Sequence, residues 1–236
     1  MSKDKLIIAL DVDSREKALE LVGELAAHVG FFKVGMELFY AAGMGIVQEI
    51  VAAGAQVFLD LKLHDIPNTV GQAAQVLVRS GASIINVHAS GGSAMMRAAA
   101  SFAREEADRL GVPAPLVVAV TVLTSIDRNA YQQEMGFSGE IAERVRSWAL
   151  LTRASGLDGV VCSPQEIKLV RDACGPDFKI ITPGIRPAGA QLGDQRRVMT
   201  PGEAVQLGAS HLVVGRPVTE AADRVAAVKA ILDEIN

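Results

Sequence analysis

Short apolar segments rich in β-branched residues alternate along this chain with longer segments whose apolar residues recur at helical spacing. The short segments predict strands, and the longer segments predict the helices that connect them. The predicted strands cover residues 6–10, 31–34, 57–61, 84–87, 116–122, 159–162, 179–182 and 211–214. The predicted helices cover residues 14–28, 36–53, 68–80, 93–110, 140–155, 164–173, 201–207 and 217–235.

Regular alternation of strands and helices indicates parallel βαβ units. Eight such units in 236 residues average about 30 residues each, the usual unit size of a (β/α)8 barrel, or TIM barrel. No linker divides the chain, so residues 1–236 are expected to form a single α/β catalytic domain with this fold. An open doubly wound sheet would more often begin with a glycine-rich loop, and residues 10–14 (LDVDS) are not glycine-rich.

Residues 163–166 (SPQE) and 200–203 (TPGE) have the sequence of a helix start. Each segment offers a hydroxyl residue for the N-cap, a proline for the first helical position and a glutamate that completes a capping box. We therefore expect helices to begin at both positions.

Polar side chains follow most of the predicted strands. The carboxyl ends of barrel strands carry catalytic and binding groups, whereas the opposite ends contribute stability. In this chain the carboxyl ends carry Asp11, Lys33, Asp60 with Lys62, His88, Thr121 with Thr124, Ser163, and Gly215 with Arg216. The pattern predicts a functional site built from several strand ends. Two long connections, residues 123–139 and 185–199, are either lids over that site or plain surface insertions.

The densest group of charges lies in residues 60–69 (DLKLHDIPNT), which end an apolar strand. Side chains alternate along a strand, so Asp60 and Lys62 are expected on the same side. Asp65 adds a second carboxylate to this group, in a place where a core normally excludes charge. The arrangement suits proton transfer by Lys62. Ion-paired residues that leave the strand for solvent are the alternative interpretation.

Residues 213–217 (VVGRP) end the eighth strand and are the strongest candidate for phosphate binding. Gly215 lets the backbone approach a ligand closely, and the guanidinium of Arg216 can bind two oxygens at once. Loops after strands seven and eight are the usual phosphate site of this barrel. Arg186 and Gln195, on the preceding long connection, are expected to reach the same phosphate. A turn with a solvated arginine is the alternative.

The composition of the chain limits the kinds of molecule that it is expected to bind. Half of the residues are hydrophobic, 4% are aromatic and the net charge is −4, which predicts no binding to nucleic acid or to anionic membranes. No apolar run approaches the roughly 18 residues of a membrane span, and the N-terminal run is too short for a signal peptide, so a cytoplasmic protein is expected. Cys162 and Cys174 are expected to be buried thiols. The four histidines show no paired metal-ligand spacing.

The chain resembles the orotidine 5′-phosphate decarboxylase family over nearly its whole length. The resemblance rests on residues 9–11 (ALD), 32–35 (FKVG), 60–69 (DLKLHDIPNT), 123–125 (LTS), 182–186 (TPGIR) and 214–217 (VGRP). The Asp-x-Lys-x-x-Asp core is shared with related sugar-phosphate enzymes, whereas its extension to Thr69, together with Lys33, is highly specific.

The resemblance implies a lyase that decarboxylates orotidine 5′-monophosphate to UMP, the last step of pyrimidine synthesis. It implies that no metal and no organic cofactor takes part. It also implies that Lys62 donates the proton to C6 of the pyrimidine, and that Asp60, Asp65 and Lys33 form the charged network around this amine.

The resemblance further implies a homodimer, in which the loop bearing Asp65, Ile66 and Thr69 reaches into the neighbouring site. The substrate contacts that it implies are Asp11, Lys33 and Thr69 at the ribose, Thr124 near the base, Arg186, Gln195, Gly215 and Arg216 at the phosphate, and Asp60 and Ile66 in addition.

Three other functions stay open at the level of sequence. A magnesium-dependent keto-gulonate phosphate decarboxylase or hexulose phosphate synthase needs an acidic group on strand two, where this chain has Lys33. A Schiff-base aldolase needs a neutral lysine in an apolar pocket, whereas the aspartates near Lys62 stabilise the ammonium form. A non-catalytic phosphosugar sensor would not need a lysine between carboxylates.

Overall fold

Eight parallel strands close into a barrel in which each strand pairs with the next one along the chain and the last pairs with the first. The computed structural model describes residues 2–187 and 199–236. The strands are β1 (Leu6–Ala9), β2 (Phe31–Gly35), β3 (Gln56–Leu63), β4 (Ile84–His88), β5 (Leu116–Val120), β6 (Gly159–Val161), β7 (Lys179–Thr182) and β8 (His211–Val214). The predicted (β/α)8 fold is confirmed.

Helices follow the strands and surround the barrel. In the described ranges they are α1 (Arg15–Leu25), α2 (Met36–Ala42), α3 (Gly45–Ala52), α4 (Pro67–Val78), α5 (Gly92–Leu110), α6 (Ile141–Ala154), α7 (Ile167–Cys174), α8 (Pro201–Gln206), α9 (Arg216–Thr219) and α10 (Arg224–Glu234). Short 3₁₀ helices occupy Ser2–Lys5, Ala89–Gly91 and Pro164–Glu166, and a π-helix occupies Ala130–Glu134. None of these helices has the length and hydropathy that a membrane span requires.

The strands are apolar on both faces because one face fills the barrel and the other packs against the helices. Phe58 belongs to the inner layer, whereas its neighbour Leu59 packs with helical residues. Burial on both sides explains the near-continuous apolar runs that predicted the strands. The inner layer consists of Ile7, Ala9, Phe31, Phe58, Ile84, Val118, Ile181 and Val213.

Two predicted helices are each divided in two, so both single-helix predictions are wrong. The predicted helix 36–53 is interrupted at Gly43, whose φ of 70° lies in the left-handed region and ends α2. The predicted helix 217–235 is interrupted after α9. A new helix, α10, begins there because the side chain of Asp223 accepts a hydrogen bond from the N–H of Ala226.

Both predicted capping boxes are present. Ser163 and Glu166 cap the 3₁₀ turn that leads into α7, and Thr200 and Glu203 cap α8. The first box therefore starts a 3₁₀ turn rather than an α-helix, and α7 begins at Ile167, later than predicted. These caps fix where the 3₁₀ turn before α7 and the helix α8 begin, after the carboxyl rim of the barrel, meaning the edge at which all eight strands end.

Candidate active site

Lys33 lies on the inner face of β2 at the carboxyl rim, beside two acidic residues. Its Nζ donates a hydrogen bond to Oδ1 of Asp11 at 3.0 Å and lies 3.6 Å from Oδ2 of Asp60. Because only 12% of the Lys33 side chain is exposed, these carboxylates replace much of its hydration. Gly35 keeps this space open, since a Cβ there would lie 3.0 Å from Lys33 Nζ.

Asp60 and Lys62 are in direct contact at the end of β3. Lys62 Nζ donates a hydrogen bond to Oδ1 of Asp60 at 2.8 Å, so the predicted same-side arrangement is confirmed. The backbone does not follow a regular strand, because the pairing with β4 shifts register between Leu59 and Leu63. Lys62 has a φ of 53°, and within the described ranges it alone among non-glycine residues has a positive φ. Such strain is typical of functional sites.

Asn86, in the middle of β4, completes this group, and the sequence analysis missed it. Its Nδ2 donates a hydrogen bond to Oδ1 of Asp60 at 2.7 Å, and its Oδ1 accepts one from the backbone N–H of Lys62 at 2.7 Å. A signal for it was present in the sequence, because one amide side chain interrupts an otherwise apolar strand. Alternation from Ile84 also places this side chain on the inner face of the barrel.

The Asp60 carboxyl is buried yet stays ionised. Burial alone would raise its pKa, but the charges of Lys33 and Lys62 and the hydrogen bonds from Lys62 and Asn86 lower the pKa below its ordinary value. The result is a fixed negative charge between two ammonium groups. Such a site favours one protonation state before any ligand binds.

A cavity of about 190 Å³ opens directly above this charged group. Lys33, Asp60 and Lys62 form its polar floor, and Thr124 lies in its wall, where the base contact was expected. The other lining residues are mainly apolar: Phe58, Val120, Val122, Leu123, Val161, Cys162, Pro183 and Val213. Apolar walls over a polar floor are typical of a small-ligand site, and a ligand atom at this floor would meet an ammonium group.

Two arginines lie at the opposite side of the rim, after β7 and β8. Arg186 is buried, and its Nη1 donates a hydrogen bond to the carbonyl of Ile185 at 3.0 Å. Burial, and then the charge of Arg216, lowers the pKa of Arg186 from its ordinary value. Two guanidinium groups close enough to repel each other are stabilised when an anion binds between them.

Gly215 precedes Arg216 and lies against the first strand. A Cβ at this position would lie 3.6 Å from Cβ of Ala9 and 3.7 Å from Oδ2 of Asp11. Gly215 therefore lies close to Asp11, between the expected ribose and phosphate contacts. Gln195, the remaining expected phosphate contact, lies outside the described residues.

The single chain does not bring Asp65 to Lys62. Oδ1 of Asp65 accepts a hydrogen bond from the N–H of Ile66 at 2.6 Å, and both residues are exposed, as is Thr69. Ile66 is unusual for an aliphatic residue, with a relative exposure of 66%. This loop is therefore exposed in the single chain, and Asp65 takes no part in the ion pairs of Lys62 there.

The long connection after β5 is folded against the barrel. Tyr131, in the π-helix, is fully buried and its ring stacks with Phe137, while Arg144 lies over Phe137 and Trp148. These aromatic residues line a second cavity of about 220 Å³, which His64 and His88 also line.

His88 faces the charged group from β4. Burial, together with the nearby charges of His64 and Lys62, lowers the pKa of His88 below its ordinary value. A histidine kept neutral in this way supplies a polar neighbour without adding a third positive charge to the site.

No group of three or more histidine, cysteine or acidic side chains in residues 2–187 and 199–236 is arranged to hold a metal ion. On β2 the position that a magnesium-dependent relative would need for an acid holds Lys33, which is paired with Asp11 and Asp60. Cys162 and Cys174 are both buried thiols, as expected.

Comparison with known proteins agrees with this geometry. A family model described as orotidine 5′-phosphate decarboxylase / HUMPS family matches residues 4–231. The orotidine 5′-phosphate decarboxylase of Moorella thermoacetica is 57% identical over 234 residues, which cover 99% of this chain and 93% of that protein. The enzyme of the same name from Syntrophomonas wolfei is 52% identical, over 99% of this chain and 98% of that protein.

Solved structures give the same result. The crystal structure of orotidine 5′-phosphate decarboxylase from Lactobacillus acidophilus superposes with a TM-score of 0.86 at 42% identity. The alignment covers 98% of each chain. A structure from Geobacillus kaustophilus, titled an uncharacterized conserved protein, also gives a TM-score of 0.86, at 39% identity.

Proposed function

Because the chain belongs to the orotidine 5′-phosphate decarboxylase / HUMPS family, we propose that it converts orotidine 5′-monophosphate to UMP and CO2. It does so without a metal or an organic cofactor, in the last step of pyrimidine synthesis and in the cytoplasm, with residues 1–236 acting as one catalytic domain. The observation that carries this proposal is the Asp60 carboxylate, held between Lys33 and Lys62 at the floor of the cavity.

The reaction needs a positive charge at one carbon atom. When the bond between C6 and the carboxylate breaks, its electron pair stays on C6 in the plane of the ring, where no adjacent carbonyl delocalises it. The ammonium of Lys62 stabilises this charge and then donates its proton to C6, which gives UMP. The neutral amine regains a proton from water.

Asp60 holds Lys62 in place and acts on the substrate as well. A substrate carboxylate about 4 Å from Asp60 would be repelled by about 4 kcal/mol at an effective dielectric constant of 20. That repulsion ends when CO2 leaves. We consider the fixed ammonium the larger contribution, because its attraction grows as charge develops on C6.

The phosphate group binds far from the reacting carbon. Arg186, Arg216, the backbone at Gly215 and Gln195 hold it. The charge of Arg216 lowers the pKa of Arg186, and this repulsion between two guanidinium groups supports an anion site between them. Binding energy from a remote group can order the site and thereby raise the rate of the chemical step.

The ribose and base complete the substrate contacts. Asp11 and Lys33 bind the ribose hydroxyls. Lys33 lines the cavity above Asp60, and Asp11, its hydrogen-bond partner, lines a neighbouring cavity together with Arg216. Thr124 contacts the base from the cavity wall.

A second copy of the chain completes each site. We propose a homodimer in which Asp65 joins the charged network of the neighbouring Lys62, while Ile66 and Thr69 contact the neighbour's substrate. The exposure of Asp65 and of the apolar residue Ile66 supports the proposal.

Loss of ultraviolet absorbance as orotidine 5′-monophosphate is consumed tests the proposed activity. The wild-type protein should consume it, and Lys62→Met should lower kcat at least about 10⁴-fold, because proton donor and positive charge are lost together. Lys168→Met is the matched control, since Lys168 pairs with Asp172 on the surface of α7. An inactive wild type, or a Lys62→Met variant within tenfold of it, would refute the proposal.

A further inference from the structure

We infer that Asn86 is a positioning residue that fixes both the carboxylate of Asp60 and the backbone of Lys62 for proton transfer. The inference rests on the proposed function for its catalytic meaning. Its structural content, one side chain with two hydrogen bonds to two functional residues, stands on the geometry alone.

Asn86 occupies a position where a polar side chain is costly. It is 1% exposed, in a strand whose other described members before His88 are Ile84, Ile85 and Val87. A buried amide is stable only when its donors and acceptors are satisfied. Here Nδ2 of Asn86 donates a hydrogen bond to Asp60, and Oδ1 accepts one from the N–H of Lys62. These two bonds offset the cost of burying the amide.

The hydrogen bond from the Lys62 N–H to Asn86 lies where the regular pairing between β3 and β4 is interrupted. The β3–β4 pairing runs regularly to Leu59 and resumes at Leu63. Between them, the N–H of Lys62 has a side-chain acceptor, Oδ1 of Asn86, at 2.7 Å. Lysine does not favour a φ of 53°, so this conformation persists only if its surroundings hold it. Asn86 supplies one of these restraints.

The side-chain bond orients the carboxylate. Oδ1 of Asp60 accepts from both Lys62 Nζ at 2.8 Å and Asn86 Nδ2 at 2.7 Å, which leaves Oδ2 facing Lys33. Rotation of the carboxylate would break both bonds at Oδ1. Asn86 therefore keeps each ammonium group on its own oxygen, and it does so without adding charge.

Two substitutions separate the two bonds. Asn86→Leu has nearly the same size and removes both bonds. Asn86→Asp keeps an acceptor for the Lys62 N–H and replaces the amide donor with a carboxyl group 2.7 Å from Asp60, which either repels that carboxylate or must bind a proton. Both variants should lower kcat about 10²-fold, because small displacements of reacting groups have effects of this size. The KM for orotidine 5′-monophosphate should change less than about threefold, since the phosphate contacts are intact.

Two measurements distinguish a positioning role from a general contribution to stability. They are the pH profile of kcat/KM and the rate of amide exchange at Lys62. In Asn86→Leu, the acidic limb of kcat/KM should shift upward by about half a pH unit or more, because Asp60 loses a hydrogen bond to its charged form. Amide exchange at Lys62 should be at least about tenfold faster in Asn86→Leu and unchanged in Asn86→Asp. Thr152→Val, which alters a buried hydrogen bond in α6, is the control and should change neither readout.

The outcomes are distinct. Wild-type kcat and pH profile in a folded Asn86→Leu protein would overturn the positioning role, and so would unchanged exchange at Lys62. If Asn86→Leu does not fold, Asn86→Ala, which also removes both hydrogen bonds, replaces it in both measurements. If the wild type does not decarboxylate orotidine 5′-monophosphate, the proposed function fails, and the exchange measurement still decides whether Asn86 anchors Lys62.

Discussion

The Nζ atom of Lys33 lies 3.6 Å from Oδ2 of Asp60. The other oxygen of this carboxylate accepts hydrogen bonds from Lys62 and Asn86, so both oxygens are already engaged. A divalent cation would need at least one of them and would be repelled by two ammonium groups. The arrangement therefore disfavours metal coordination at Asp60 and suits the proton transfer that we propose.

Chelation should leave the activity unchanged. Because Lys33 occupies the place where a magnesium-dependent relative needs an acid, excess EDTA should not lower the rate of decarboxylation, and added Mg²⁺ should not raise it. Initial rates after dialysis against EDTA, with and without Mg²⁺, measure this. A rate that falls on chelation and returns with Mg²⁺ would favour the metal-dependent sugar-phosphate enzymes instead.

Mixing two inactive variants should restore activity if Asp65 works in the neighbouring site. In a hybrid of Lys62→Met and Asp65→Asn chains, one site carries both defects and the other carries neither. Random exchange of subunits should therefore give about a quarter of the wild-type activity. Rates measured before and after co-refolding of equal amounts test this.

Two controls make the mixing experiment decisive. Each variant refolded alone should stay inactive, and a mixture of Lys62→Met with Asp60→Asn should gain nothing, because Asp60 and Lys62 belong to the same chain's site. If the Lys62→Met and Asp65→Asn mixture also gains nothing while forming hybrid dimers, Asp65 acts within its own chain or not at all.

The fold was predictable because its determinants are local. Each strand of the barrel is buried on two faces, so a continuous apolar run identifies it. Each helix is buried on one face, so the helical spacing of its apolar residues identifies it. The divided helices were missed for a local reason too. The break at Gly43 depends on a left-handed backbone, and the break before Asp223 depends on a side-chain cap, and neither disturbs the apolar pattern.

The site was predictable where charge interrupts an apolar run, as at Asp60 and Lys62. It was not predictable where the role depends on three-dimensional register. Asn86 faces Lys62 only because the β3–β4 pairing slips between Leu59 and Leu63, and no sequence pattern reports that slip. The direction of the Asp65 loop likewise depends on how the chain leaves β3.

Removal of the Arg216 guanidinium should harm the phosphorylated substrate selectively. For Arg216→Ala, kcat/KM for orotidine 5′-monophosphate should fall about 10²-fold, the size expected for lost charge-assisted hydrogen bonds. The much slower reaction of orotidine, which lacks the phosphate, should change less than about threefold. Arg104→Ala is the control, because Arg104 bonds to the Gly156 carbonyl away from the rim. Equal losses for both substrates would contradict the assigned phosphate role.

His211, at the start of β8 and on the side of the barrel opposite the active site, should make stability depend on pH. Burial, and then the charge of Lys179, lowers the pKa of His211 to about 4. The ring packs edge-on against Phe31, with 5.3 Å between ring centroids. In the unfolded chain the imidazole has its ordinary pKa near 6.5. Between these two values the unfolded state therefore binds a proton that the folded state does not.

The stabilising contribution of neutral His211 is thus complete above about pH 6.5 and is lost as the pH falls toward about 4, by up to about 3 kcal/mol. His211→Phe keeps an aromatic ring and removes the titrating group, so its free energy of unfolding should fall about 2–3 kcal/mol less than that of the wild type between pH 7.5 and pH 4.5. Urea unfolding at one protein concentration measures this, with His28→Gln as the control histidine substitution. Acid lowers stability only through groups that bind protons more readily in the unfolded chain than in the folded protein. Parallel losses of stability in the wild type and in His211→Phe would therefore mean that other groups account for the acid sensitivity.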